Sequence, residues 1–232
     1  MRTSDSISII IPTLNEAINL QRLIPFLAVL EKNIIIEILV VDGGSTDNSR
    51  AIASQYGAIV IPSAICSRAA QLNAGAKVAK GSILYFVHAD SLPLKSLAAD
   101  ILGAIASGYR AGCFSYEFES KRLMLRINSW FTQFNGIFSG GGDQTLFIEK
   151  SFFKELGGYD EKFTIMEDFD FVRRIRKLTQ FKLIKKSIKV SDRKYQTNSW
   201  LTVQWANLIA MTAFRLGVKP ERIKNLYYNR LK

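Results

Sequence analysis

The segment Ser8-Ile-Ile-Ile-Pro-Thr-Leu-Asn-Glu16 decides the fold, because it joins a short apolar run to a polar turn. The run Ile7–Ile11 is mostly β-branched, as strands prefer, and Pro12 ends it. Apolar side chains then recur at the spacing of one helix face, at Leu20, Leu23, Ile24, Leu27 and Leu30. A strand followed directly by an amphipathic helix predicts the first unit of an α/β sheet.

The same alternation of strand and helix continues through the first half of the chain. Three further apolar runs predict strands at Ile36–Val41, Ala58–Ile61 and Ile83–Val87. Helices are predicted after Gly43-Gly44, with a cap near Ser45 or Asp47, and over Ser67–Ala79. Strands that are apolar throughout and alternate with helices belong to a mostly parallel sheet that helices cover on both faces.

Ligands of such a sheet bind beyond the carboxyl ends of its strands. Polar residues gather at three of these ends, in the segments Pro12–Glu16, Asp42–Asp47 and His88–Ser91. We therefore expect the functional site to lie where these three segments meet.

The second half of the chain is less regular. Its pattern predicts strands at Cys113–Phe118 and Thr145–Ile148, and helices at Leu123–Phe138, Phe169–Leu178, Trp200–Leu216 and Arg222–Tyr228. No internal repeat, low-complexity tract or linker interrupts the 232 residues. We therefore expect a single domain over residues 1–232.

The composition, with 48% hydrophobic and 22% charged residues, is that of a globular protein. The two cysteines match neither a disulfide framework nor a zinc pattern, which favours a reducing compartment. The N-terminus lacks a secretory pattern, and polar residues interrupt the best candidate for a membrane span, Leu201–Leu216. We expect a cytoplasmic protein, either soluble or peripheral at the inner face of the membrane.

The net charge of +11 is unevenly distributed along the chain. Residues 171–232 hold 16 lysines and arginines against Asp192 and Glu221, whereas residues 1–170 have a small net negative charge. This asymmetry predicts an anionic partner for the C-terminal third, and solvated helix faces are the alternative.

Four ordered segments resemble the pattern of glycosyltransferase family 2: Ser8–Glu16, Val41-Asp-Gly-Gly-Ser-Thr-Asp47, His88-Ala-Asp90 and Glu167-Asp168. Three others are similar to a bacterial subgroup with HAD in place of the usual DxD: Gly142-Asp-Gln144, Ser191-Asp-Arg-Lys-Tyr195 and Leu216-Gly-Val218. The resemblance covers most of the chain and implies a GT-A fold, an α/β fold with a mostly parallel sheet flanked by helices. It implies a nucleotide-binding half over residues 1–91 and an acceptor-side half with basic C-terminal helices over residues 92–232. The implied reaction is metal-dependent, inverting transfer of a sugar from a nucleoside diphosphate-sugar to an acceptor hydroxyl.

The resemblance assigns the nucleotide-sugar to residues near the strand ends. Asp42 would contact uracil or ribose, with an Asx-turn around Gly43-Gly44 as the alternative. Arg68 would reach the phosphates or the base, which suits a guanidinium with paired donors, and a surface arginine is the alternative. The turn after the first strand would hold the base and ribose, with Pro12, Thr13, Asn15 and Glu16 as the contacting residues. The alternative is that this turn only leads into the first helix.

The segment His88-Ala-Asp90 implies a divalent metal, Mg²⁺ or Mn²⁺, beside the leaving diphosphate. Such ions prefer carboxylate oxygen and stabilise the charge that grows on the diphosphate, so Asp90 is the expected ligand. His88 replaces the first aspartate of the usual motif. Ligation of Mn²⁺, contact with ribose and a purely structural role all stay open for it.

Asp168 is the general base that the resemblance implies, because an inverting transferase needs a base within reach of the acceptor hydroxyl. Glu167 and Arg193 are the expected acceptor-side residues, and Asp143 is expected to contact the sugar or acceptor. The alternatives are acidic residues that favour a helix N-terminus and, for Asp143, a turn.

Other functions leave weaker traces in the sequence. A nucleotidyltransferase or a dehydrogenase would carry a glycine-rich phosphate loop after the first strand, where this chain has Pro12-Thr13-Leu14-Asn15. A non-catalytic nucleotide-sugar or lipid-surface binder could keep Asp42 and Asp90 without needing Asp168. Aromatic residues over 130–138 and the basic C-terminal third favour a lipid-linked acceptor at an anionic membrane surface. We expect no nucleic-acid partner and make no prediction of the oligomeric state.

Overall fold

The computed structural model describes residues 5–136, 140–141 and 144–231. Its centre is an eight-stranded sheet. The strands are β1 (Ile7–Thr13), β2 (Ile35–Asp42), β3 (Ile59–Pro62), β4 (Ile83–Phe86), β5 (Ser91–Leu92), β6 (Ala111–Phe118), β7 (Leu146–Glu149) and β8 (Phe181–Val190). They lie in the order β3-β2-β1-β4-β7-β6-β8-β5.

Ten helices are described, and they flank this sheet and close the chain. They are α1 (Ala17–Ala28), α2 (Ser49–Gln55), α3 (Arg68–Val78), α4 (Leu97–Ala106), α5 (Leu123–Phe131), α6 (Lys150–Glu155), α7 (Glu167–Leu178), α8 (Arg193–Thr197), α9 (Trp200–Arg215) and α10 (Pro220–Tyr228). Among the described residues, no helix is long and apolar enough to cross a membrane.

The first four strands pair in parallel, so their carboxyl ends, where the ligand is predicted to bind, lie at the same edge of the sheet. β1 lies between β2 and β4, and Thr13 at its carboxyl end is in register with Asp42. β7 runs antiparallel to β4 and β6, whereas β6 and β8 pair in parallel. The predicted fold class, an α/β fold with a mostly parallel sheet flanked by helices, is confirmed.

The alternation of apolar side chains along β1 builds a core on each face of the sheet. Ile9 and Ile11 pack on the face that α1 covers, and Ile10 packs on the face that α3 covers. On the second face α3 lies very close to the sheet. A Cβ added at Gly75 would come within 2.5 Å of Ile10 Cγ2, so only glycine permits this approach.

Several predicted boundaries are wrong. The helix predicted over Leu123–Phe138 ends at Phe131, because the chain turns back onto β6, where Tyr116 N donates a hydrogen bond to Thr132 Oγ1 (3.1 Å). Phe138 lies outside the described residues. The helix predicted to be capped near Ser45 or Asp47 begins at Ser49, because the preceding residues form the loop at the end of β2.

Candidate functional site

The loops after β1 and β2 are held together by side chain to backbone hydrogen bonds. Asn15 has a left-handed backbone (φ 55°), and its Oδ1 accepts a hydrogen bond from Thr46 N (2.8 Å). Asn15 N donates to Ser45 Oγ (2.9 Å), and Glu16 N donates to Ser49 Oγ (2.9 Å). These bonds fix the turn that was predicted to hold the nucleotide, and they occupy the Asn15 side chain with a structural contact.

Asp42 closes a tight turn at the end of β2. Its carboxylate accepts hydrogen bonds from Gly44 N (3.2 Å) and Ser45 N (3.1 Å), and Arg50 Nε lies 3.7 Å away. The carboxylate is buried. The Asx-turn that was the alternative for Asp42 is therefore present, and its contact with a base or ribose stays a prediction.

Gln71, on α3, links the ends of the two central strands. Its Nε2 donates to Thr13 O (2.8 Å) and to Val41 O (2.7 Å), and the residue is buried. A Cβ at Gly43 would come within 3.0 Å of the same amide group, so this glycine leaves the space that Gln71 fills. These two hydrogen bonds of Gln71, which we call the Gln71 clamp, hold the carboxyl ends of β1 and β2 at the floor of the cleft in a fixed position.

His88 and Asp90 follow β4 and line the cleft beside these loops. Both are half-buried. Asp90 O accepts a hydrogen bond from Ser191 N (3.2 Å), which ties this loop to the end of β8. The pKa of Arg193 is raised, first by its hydrogen bond to Glu16 and then by the charges of Glu16 and Asp90, although partial burial opposes this shift.

Arg193 connects the two halves of the chain. Its Nη2 lies 2.9 Å from Glu16 Oε1, so a residue predicted on the acceptor side pairs with one predicted on the nucleotide side. The carboxylate is largely buried and the guanidinium is exposed. This ion pair bridges the loop after β1 and the first residue of α8.

The acidic pair Glu167-Asp168 begins α7 after a backbone conformation that is rare for a side-chain-bearing residue. Met166 has a φ of 67°, and both acidic residues are buried, with Asp168 9% exposed. Arg68 Nη1 lies 3.3 Å from Glu167 Oε1 and 4.0 Å from Asp168 Oδ2. Unusual backbone angles in a residue that lines a cleft are typical of functional sites.

Tyr159 packs against Phe171 of α7, three residues after Asp168, with the ring centroids 4.4 Å apart. It is 3% exposed, and within the described residues its hydroxyl has no hydrogen-bond partner. Burial raises its pKa well above the ordinary value, and the charges of Asp168 and Glu167 raise it further. The ring borders a small cavity together with Pro12, His88 and Asp168.

One cleft of about 1300 Å³ joins most of these groups. The predicted site residues that line it are Pro12, Thr13, Glu16, Arg68, His88, Asp90, Glu167, Asp168 and Arg193. Asn15 and Asp42 do not line the cleft and instead support the loops after β1 and β2, and Asp143 lies outside the described residues. A single pocket therefore contains both the expected metal ligand and the expected base.

No group of three or more His, Cys, Asp or Glu side chains close enough to hold a metal occurs in the part of the chain that the structure describes. Magnesium in transferase-type sites is commonly held by one or two carboxylates together with substrate phosphates. Asp90 lines the cleft, and its carboxylate would provide one such oxygen ligand. The residues present therefore fit a metal that binds together with a diphosphate.

Sequence reasoning gave too little weight to the residues that hold the site in place. Gln71, Tyr159 and Lys194 line the cleft or the small cavity beside it, and none of them was among the predicted site residues. The polar Gln71 within an alanine-rich helix was the available signal, since a buried amide needs partners. For Tyr159 the sequence offered no signal.

Comparison with solved structures gives the fold independent support. The TarS fragment of S. aureus is 16% identical, with a TM-score of 0.68, and the match covers 97% of this chain and 71% of that one. Glucosyl-3-phosphoglycerate synthase from Mycobacterium tuberculosis is 16% identical, with a TM-score of 0.68 and coverages of 94% and 81%. The mannosyltransferase PcManGT from Pyrobaculum calidifontis is 18% identical, with a TM-score of 0.66 and coverages of 96% and 68%. No curated protein matches the chain in sequence.

The fold of the chain is the GT-A fold of these solved structures. The family model described as glycosyl transferase family 2 matches residues 8–158, which is more than half of the chain. The chain therefore belongs to glycosyl transferase family 2 and is an enzyme of the transferase class.

Proposed function

We propose that the enzyme transfers a sugar, with inversion, from a nucleoside diphosphate-sugar to an acceptor hydroxyl. The observation that carries this proposal is the single cleft that Asp90 and Asp168 share with the loop after β1. In this proposal residues 1–91 bind the donor, and residues 92–232 complete the same domain on the acceptor side.

The donor lies across the carboxyl ends of β1, β2 and β4. Pro12, Thr13 and Glu16 border the space for the base and ribose, and the Asn15 and Asp42 contacts keep both loops fixed. Solved structures of the same fold support this choice of donor, since they include complexes with UDP-GlcNAc, UDP and GDP-Man.

Asp90 holds the divalent ion in this proposal, with His88 as a second candidate ligand. Bound there, Mg²⁺ or Mn²⁺ would supply positive charge next to the leaving diphosphate. Two structural neighbours that were solved in complex with Mn²⁺ support a divalent ion in this fold. Arg68, which lines the same cleft, adds a permanent positive charge on the α3 side.

Asp168 removes the proton from the acceptor hydroxyl. The acceptor oxygen then forms a bond to the anomeric carbon on one face, while the bond from that carbon to the diphosphate oxygen breaks on the other. The proton stays on Asp168, and the electron pair leaves with the nucleoside diphosphate. Glu167 and Arg193 stand on the acceptor side of this arrangement, and Asp143 is proposed to contact the sugar or acceptor.

A lipid-linked acceptor at an anionic membrane surface is the proposed second substrate. The net charge of residues 171–232 and the exposed aromatic side chains Trp130, Phe131 and Phe134 support it. The enzyme is proposed to work in the cytoplasm, at the inner face of the membrane.

A thermal-shift panel tests the proposal. Nucleoside diphosphates and their sugars are added one at a time, with Mn²⁺, with Mg²⁺ and with EDTA. A ligand present at 100 times its dissociation constant stabilises the native state by about 2.7 kcal/mol, which raises the melting temperature. We expect a metal-dependent rise with at least one nucleotide. A folded sample that shows no shift with any of them would contradict the proposed donor.

A further inference from the structure

Two exposed apolar helix faces border the entrance of the cleft. On α5 and the turn that follows it, the spacing is helical and the exposed fractions run from 40% to 67%, at Leu123, Ile127, Trp130, Phe131 and Phe134. On α9 the exposed fractions run from 53% to 73%, at Leu201, Trp205 and Leu208. We call these eight residues the apolar rim.

The apolar rim is continuous with the cleft. Phe131, Phe134 and Leu208 belong to the rim and also line the cleft wall. The Trp130 ring lies edge-on to Phe131 and Phe134, with centroid distances of 5.1 Å and 4.6 Å. A contiguous exposed apolar surface around a cleft is typical of an interaction site.

The segments that carry the apolar rim are strongly basic. Residues 121–135 and 193–231 contain ten lysines and arginines and one acidic residue, Glu221. A surface of this charge complements a partner with a dense negative charge. A second copy of the same face would meet like charges, so a symmetric dimer through the rim is disfavoured.

We propose that the apolar rim inserts into the headgroup region of an anionic lipid bilayer, with the cleft opening toward the membrane. Tryptophan and phenylalanine beside lysine and arginine are the side chains that anchor proteins at such an interface. The consequence for the acceptor rests on the proposed function: a lipid whose reactive hydroxyl lies at headgroup depth enters the cleft past Phe131 and Leu208.

The lysines of β8 offer a competing docking surface. Lys182, Lys185, Lys186 and Lys189 are a concentrated run of positive charge. However, Lys186 pairs with Asp100 on α4 (2.6 Å), and Lys182 lies over the ring of Tyr109 (4.7 Å). None of the four lines the cleft. We therefore expect these four lysines to contribute less to membrane binding than Trp130 and Trp205.

Co-sedimentation with vesicles tests the rim. The full chain is mixed with phosphatidylglycerol-containing or pure phosphatidylcholine vesicles. We expect the double variant Trp130→Ser/Trp205→Ser to partition at least about tenfold more weakly into the anionic vesicles. Val29→Ser, which removes a 77% exposed valine from the end of α1, is the matched control and should bind like the wild type. Trp130 fluorescence in a Trp200→Phe/Trp205→Phe background, which leaves Trp130 as the one tryptophan of the chain, should be quenched by brominated lipid.

Several results would overturn the proposal. The first is a folded wild type that does not bind vesicles, and the second is equal binding to neutral and anionic vesicles. The third is a variant with the four β8 lysines replaced by glutamine that loses vesicle binding, while the Trp130→Ser/Trp205→Ser variant keeps it. A dimer in light scattering that the rim substitutions dissociate would assign the rim to a second copy instead. Nucleotide-induced thermal shifts are measured without vesicles. A chain that binds nucleotide but does not bind vesicles would therefore contradict membrane insertion of the rim and leave the proposed donor intact.

Discussion

Arg68 Nη1 lies 3.3 Å from Glu167 Oε1, and this contact joins the first residue of α3 to the first residue of α7. The two residues are 99 positions apart in the sequence. The carboxylate is 3% exposed, whereas the guanidinium is 47% exposed. The pair connects the donor side of the cleft with the acidic pair on the acceptor side.

Replacing Arg68 should reveal what this contact contributes to stability. Arg68→Met keeps the aliphatic stem but leaves the buried Glu167 without this partner. We expect a loss of about 1–2 kcal/mol in the free energy of unfolding, because half-exposure of the arginine screens part of the interaction. Urea denaturation measures it. Arg22→Met, which breaks a more exposed pair with Glu119, is the control and should cost less than about 1 kcal/mol.

Asp168→Asn should separate catalysis from donor binding. The amide keeps the shape of the side chain but does not accept the acceptor proton, so we expect turnover to fall by about 10²–10⁴-fold. Calorimetry should give an unchanged dissociation constant for the nucleoside diphosphate. Glu167→Gln keeps the base and should lose much less activity. A loss of nucleotide affinity equal to the loss of turnover would instead place Asp168 in the nucleotide pocket.

Asp90→Asn tests the metal ligand without any need for an acceptor. We expect the difference in nucleotide affinity between Mn²⁺ and EDTA to shrink strongly, because the amide removes the negative charge that faces the cation. Isothermal calorimetry measures both affinities. Asp100→Asn, on helix α4 and outside the cleft lining, should leave the difference intact. If Asp90→Asn behaves like this control, the ion is held elsewhere.

The sequence predicted best what depends on local pattern. β1, β2 and β4 are apolar runs, and each was located to within two residues of its observed ends. β8 was not predicted, because four lysines interrupt its apolar residues and only part of the strand is buried. The three loops of the site followed from the rule for parallel sheets. The contacts of Gln71 and Tyr159 could not follow, because they join positions 58 and 86 residues apart.

Gln71→Leu should weaken the floor of the site. The substitution keeps the volume and removes the two hydrogen bonds to Thr13 O and Val41 O, so we expect a cost of about 1–3 kcal/mol in unfolding free energy. Nucleotide affinity should fall as well, since the loops after β1 and β2 lose a common anchor. Gln196→Leu, at an exposed position of α8, is the matched control and should change stability by no more than about 0.5 kcal/mol. Equal losses of stability in Gln71→Leu and Gln196→Leu would show that the two hydrogen bonds of Gln71 are dispensable.

Alkaline conditions should destabilise the native state through Cys113. Burial raises the pKa of its thiol to about 12, from an ordinary value of 9.0. Between these values the unfolded chain releases this proton and the native chain keeps it. The contribution of Cys113 to stability is therefore complete below about pH 9 and is lost as the pH rises toward 12, at up to about 1.4 kcal/mol per pH unit.

Urea denaturation between pH 8 and pH 10.5 measures this slope. Cys113→Ser removes the titrating thiol, so the decline in stability above pH 9 should be shallower in this variant than in the wild type, whatever its stability at pH 8. Thiol labelling of the native wild type at pH 8 adds an independent check, since the reagent should modify the exposed Cys66 and spare the buried Cys113. Identical slopes in the two proteins, or rapid labelling of both cysteines, would contradict a buried, neutral Cys113.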